Sequence, residues 1–98
     1  MDVRFADDKM ERLDRDRDFD AGLDKEVVTK FRMRMQLIRA ADDERAFYAM
    51  KSLHFEKLKG KRSHQRSMRL NKKWRLIIEI KESKPKNIAV IVSIEDYH

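Results

Sequence analysis

Residues 94–98 read Ile-Glu-Asp-Tyr-His, and residues 57–75 hold nine cationic side chains, Lys57, Lys59, Lys61, Arg62, Arg66, Arg69, Lys72, Lys73 and Arg75, without one acid among them. Cleavage of an RNA linkage through its 2′-OH needs little beyond these residue types. A base must take the hydroxyl proton, cations must hold the phosphate and neutralise its developing charge, and an acid must protonate the leaving oxygen. Lysine and arginine supply the cations, and a histidine serves as base or acid near neutral pH. A terminal Asp-Tyr-His alone fits an exposed strand end equally well, and most charged residues face water in any case. The absence of carboxylates across the whole window is what favours a nucleic-acid partner, held by counterion release.

Other chemistries lack their residues. The two glycines, Gly22 and Gly60, are too far apart for a phosphate-cradling loop. His54, His64 and His98 have no paired spacing, and with no cysteine there is neither a disulfide framework nor a thiolate metal site. Among the six methionines, Met35, Met50 and Met68 are expected to fill the core. The net charge of +6 is unevenly spread: residues 1–48 carry 11 bases and 13 acids, residues 49–98 carry 13 bases and 5 acids. Leu, Ile, Val and Phe number 24 of 98, enough for a single small domain with a thin core. The longest apolar run, residues 88–92, is far too short to span a membrane, and the N-terminus lacks a signal-peptide pattern, so a cytoplasmic protein is expected.

These candidate residues must be positioned by a small α+β scaffold. A short strand is expected at residues 3–5, then a helix capped by Asp7 or Asp8 with Met10 and Leu13 on one face. The alternating Asp and Arg of residues 14–20 should form an exposed, salt-bridged turn near Gly22. Asp24 is the expected N-cap of a second helix running to about Ala41, with Leu23 and Val28 as a hydrophobic staple and Val27, Val28, Phe31, Met35 and Ile38 on one stripe. Phe47, Met50 and Leu53 suggest one or two further helical turns. After Gly60 the period becomes alternating. Met68 and Leu70, a turn at residues 71–73, then Trp74, Leu76, Ile78 and Ile80 form a hairpin, and Ile88, Val90, Val92 and Ile94 form a final strand. The expected architecture is two to three helices packed on one face of a mainly antiparallel, curved sheet. Strict alternation leaves one conflict. If both apolar phases face the helices, Arg75 falls on the opposite face from Asp96 and His98, unless curvature, a bulge or a turned-out terminus reunites them.

The segments Glu-Lys-Leu-Lys-Gly-Lys-Arg (56–62), Ser-Met-Arg-Leu-Asn (67–71), Trp-Arg-Leu (74–76) and Ile-Glu-Asp-Tyr-His (94–98) together resemble the HigB toxins, a branch of the RelE/ParE superfamily. The resemblance implies a RelE-like domain over residues 1–98 and a toxin of a type II toxin–antitoxin system. Such a toxin would be a metal-independent, ribosome-dependent endoribonuclease that cuts translated mRNA and is neutralised by a cognate helix-turn-helix antitoxin of the HigA type. Its catalytic set would be Lys59, Arg75, Asp96, Tyr97 and His98, with Arg69 as a further phosphate contact. Lys57, Lys61, Arg62, Lys72 and Lys73 complete the expected RNA-binding surface. Residues 63–66 depart from the family's usual glycine-containing loop, and this places His64 nearby without a matched role. Two other readings stay open from the residues: a ParE-like inhibitor of a protein such as DNA gyrase that hydrolyses nothing, and a plain RNA-binding module.

Overall fold

In the computed structural model, residues 1–96 are described; Tyr97 and His98 lie outside the described residues. The chain forms a strand β1 (Asp2–Phe5) and three helices, α1 (Asp8–Arg15), α2 (Lys25–Ala40) and α3 (Arg45–Ala49). A 3-10 turn (Lys51–Leu53), a two-residue strand β2 (Glu56–Lys57) and a second 3-10 turn (Gly60–Arg62) follow. Three longer strands complete it: β3 (Gln65–Arg69), β4 (Trp74–Lys81) and β5 (Ile88–Asp96). The sheet order is β1-β5-β4-β3-β2, with β1 parallel to β5 and every other pair antiparallel. This is the expected α+β domain, with helices on one face of a mainly antiparallel sheet. No helix among the described residues is long and apolar enough to cross a membrane.

Local chemistry accounts for the helices. The Asp7 carboxylate accepts from the Met10 amide at 2.8 Å, satisfying an amide that α1 itself leaves unpaired, and Met10 and Leu13 are buried as the spacing predicts. Asp24 stands at the N-cap of α2 without a side-chain cap bond, and the whole expected stripe from Val27 to Ile38 is buried. Arg32, projecting from α2, holds the acidic connection by donating to the carbonyls of Leu13, Asp16 and Phe19. Arg39 forms a two-pronged ion pair with Asp14, at 3.0 and 2.7 Å. Met1 is buried, and its ammonium group donates to the carbonyls of Ile38, Arg39 and Ala41 at the C-terminal end of α2.

Two expectations need correction. Met50 is 40% exposed rather than core, because α3 is only five residues long and the chain turns into the 3-10 turn immediately after it. In β5 the buried residues are Ala89 and Ile91, not Val90 and Val92, although Ile94 does pack against the core. The cause is a β-bulge. Ile78 pairs with Ile91 and Ile77 with Ser93, so Val92 is the extra residue and the phase changes across it. Residues 88–92 are apolar in both phases, so alternation alone does not choose between them. The bulge allows Ile91 and Ile94, three positions apart, to serve one core.

Candidate functional site

The helices cover the face of β4 that carries Trp74, Leu76, Ile78 and Ile80, so Arg75, Ile77 and Glu79 project from the other face. By register Glu95 lies opposite Arg75 and Ser93 opposite Ile77. From β3, Ser67 pairs with Ile77 and Gln65 with Glu79, and from β2, Glu56 pairs with Ser67. After β2 the ladder to β3 continues for one more residue, the Leu58 amide donating to the Gln65 carbonyl at 3.1 Å, before the chain enters the second 3-10 turn.

Arg62 fastens that segment to the sheet. Its Nη1 and Nη2 donate to the two carboxylate oxygens of Glu95 at 2.8 and 2.7 Å, and its Nε donates to Gln65 Oε1 at 2.8 Å. Ser93 Oγ donates to Glu95 Oε2 at 2.6 Å. The Arg62 hydrogen bonds lower the Glu95 pKa, partly opposed by burial, and the same contact raises that of Arg62. Beside this clasp lies a shallow depression of about 140 Å³ lined by Glu56, Ser67, Arg75 and Asp96, with Leu58 and Ile77 as its apolar part and Arg62 and Glu95 along its wall.

The expected residues divide accordingly. Arg75, Asp96 and Arg62 reach the depression. Arg75 Nη1 donates to the Asn71 carbonyl at 2.9 Å, and Asp96 Oδ2 lies 3.6 Å from Lys73 Nζ. Asp96 opposes Trp74 in register and Glu95 opposes Arg75, where the Ile78–Ile91 register continued without the bulge would have brought Ile94; Asp96 enters the depression from the end of the strand. Lys59 is exposed immediately after Leu58, at the start of the second 3-10 turn, where Gly60 has φ +65° and so adopts the left-handed backbone a glycine favours. Lys57 and Lys61 are exposed, and His64 lies 3.8 Å from Glu79 at the far side of the same face. The expected roles of Tyr97 and His98 fall outside the described residues. Sequence reasoning assigned no role to Glu56 and Ser67, because a single carboxylate or hydroxyl in a two- or five-residue strand carries no pattern, nor to Glu95, whose partner Arg62 is 33 residues away in sequence.

Arg69, Lys72 and Lys73 belong to a second, larger cleft of about 630 Å³ around the β3–β4 turn, facing α2 rather than the depression. Asn71 organises the turn: its Oδ1 accepts from the amides of Lys73 and Trp74 at 2.9 and 2.8 Å. Its carbonyl accepts from Arg69 Nε at 3.3 Å as well as from Arg75.

The sequence matches the family model of HigB-like toxins, described as the RelE-like toxin of type II toxin–antitoxin system HigB, over residues 3–98. Among solved structures, a YoeB/ParE toxin from Agrobacterium tumefaciens is similar with a TM-score of 0.64 at 16% identity, covering 100% of both chains. A conserved hypothetical protein from Helicobacter pylori, solved in solution, is similar with a TM-score of 0.59 at 13% identity, covering 99% of this chain and 94% of the other. At these identities the likeness is one of fold. No curated protein matches the sequence. The family match spans nearly the whole chain and the fold agrees with it: the chain belongs to the HigB-like, RelE-like toxins of type II toxin–antitoxin systems, which implies an antitoxin as its partner.

Proposed function

We propose that this toxin is a ribosome-dependent endoribonuclease that cuts translated mRNA by attack of a 2′-OH on the adjacent phosphorus. The observation that carries the reading is the convergence of Arg75, Asp96 and Glu56 on one depression of the helix-free sheet face, at the end of β5. Arg75 holds the scissile phosphate and neutralises the charge that develops on its oxygens, and Lys59, exposed in the loop next to Leu58, adds a second cation for it. Glu56 and Asp96 are carboxylates placed to take the 2′-OH proton, and His98 delivers a proton to the departing 5′ oxygen. The products are a 2′,3′-cyclic phosphate and a free 5′-OH, so no bond to the protein forms. Tyr97 stacks on a base or orients a neighbour. A HigA-like helix-turn-helix antitoxin is the proposed inhibitor, and the cytoplasm is the proposed site of action.

Purified protein should cut message on translating ribosomes and leave naked RNA nearly intact. Arg75→Ala should slow cleavage by roughly 10²–10³-fold while preserving the circular-dichroism spectrum. Undiminished cleavage by that variant would refute the assigned site, and inhibition of DNA supercoiling without any RNA cleavage would replace the reading with a ParE-like one.

A further inference from the structure

We infer that the basic cleft between α2 and the β3–β4 turn carries the phosphate backbone of the same RNA strand, continuing from the linkage held at Arg75. The inference rests on the proposed placement of that linkage and extends it to residues outside the cation-rich window.

Lys30 and Arg34 stand one helical turn apart on α2 and face Arg69, Lys72 and Lys73 across the cleft, with His54 at its edge. Glu26 is the one acid among the described lining residues. These cations are held mostly by neutral groups. Arg34 Nε donates to the Arg69 carbonyl at 3.2 Å, and Arg69 Nη1 lies 3.3 Å from His54 Nε2. Lys30 and Lys72 make no hydrogen bond or ion pair among the described residues. Partial burial of Arg34 lowers its pKa, the mark of a cation that has lost water without gaining a carboxylate. Like charges gathered this way repel until an anion lies between them.

The link to the depression is the Asn71 carbonyl. It accepts from Arg69, which lines the cleft, and from Arg75, which lines the depression, so one backbone atom holds a guanidinium from each site. Lys73 spans the same gap, lining the cleft while its ammonium approaches Asp96. A single nucleic-acid strand carries one phosphate per nucleotide, and the cations from Arg75 over the turn to Lys30 offer successive partners along such a strand.

The test uses a fluorescein-labelled 2′-O-methyl oligouridylate, which lacks the attacking hydroxyl, and measures binding by anisotropy between roughly 50 and 200 mM KCl. The double variant Lys30→Gln with Lys72→Gln should bind roughly tenfold more weakly, and its log–log salt slope should fall by about 1.4, the release of two counterions from a single strand. An unchanged slope in the double variant, with weakened binding in Arg75→Ala, would overturn the cleft while leaving the cleavage site standing. Unchanged binding in both would overturn the cleft and the assigned site together. Poly-glutamate that competes with the probe on the wild type and no longer binds the double variant would assign the cleft to an acidic protein segment instead. Loss of ribosome co-sedimentation by the double variant with oligonucleotide binding intact would assign it to ribosomal RNA.

Discussion

Arg62 belongs to the cation-rich window, but all three of its side-chain nitrogens that bond are committed to Gln65 and Glu95, so its first task is to hold the loop that carries Lys59. The consequence for pH follows from the depressed Glu95 pKa. A carboxyl whose folded pKa lies below its unfolded value contributes stability above the unfolded value, and that contribution disappears as pH falls through the folded one. Thermal melts of the wild type and Glu95→Gln should therefore converge on acidification below the ordinary glutamate range. The Glu95 side chain is 36% exposed, so solvent screening limits the difference at neutral pH to about half a kcal/mol. Glu56 offers a sharper test: Glu56→Gln should lower single-turnover cleavage on ribosomes by roughly 10²-fold without altering ribosome association. At this scale the sequence singled out Arg75 and Asp96 through their neighbours in a family pattern, and both line the depression. Glu56 stayed hidden because only register brings it there, and Lys30 and Arg34 because they sit in the half of the chain where acids balance bases.

The helices were legible because their apolar residues recur at the helical period on one stripe, as from Val27 to Ile38, and a polar surface elsewhere leaves no competing face. Strand β5 was not, since Ile88, Ala89, Val90, Ile91 and Val92 satisfy either phase, and β2 was missed because Glu56 and Lys57 show no alternation at all. The bulge resolves the first ambiguity, since the core phase changes across it, and a bulge of this kind kinks the strand that carries it. Deleting Val92 should leave Ile91 opposite Ile78 and Ser93 opposite Ile77, keeping the core contacts while straightening the strand. Such a variant is expected to retain its far-ultraviolet circular dichroism and cooperative melting while cleavage falls sharply, a combination that a simple packing defect does not produce.

For the molecule as a whole, the thin core sets the tolerance to change. Phe31 is fully buried beneath the sheet, and Phe31→Ala should cost about 3–5 kcal/mol. A domain of this size has about 5–15 kcal/mol in total, so denaturant titration should find the variant largely depleted of stability. The fold also distributes charge unevenly: in the acidic first half some carboxylates are paired with neighbouring arginines, as Asp14 is with Arg39, while the cations of the second half gather around the β3–β4 turn. Association with an antitoxin should accordingly slow as salt rises, which stopped-flow measurements would register. The Asn71 carbonyl adds a constraint of another kind. Because that oxygen belongs to the main chain, a replacement of Asn71 that keeps the bend also keeps the bridge between the two arginines. Lineages escaping this toxin's harm would thus lose the arginines themselves or reshape the bend, and a silent drift at position 71 that kept the bend would leave the poison intact.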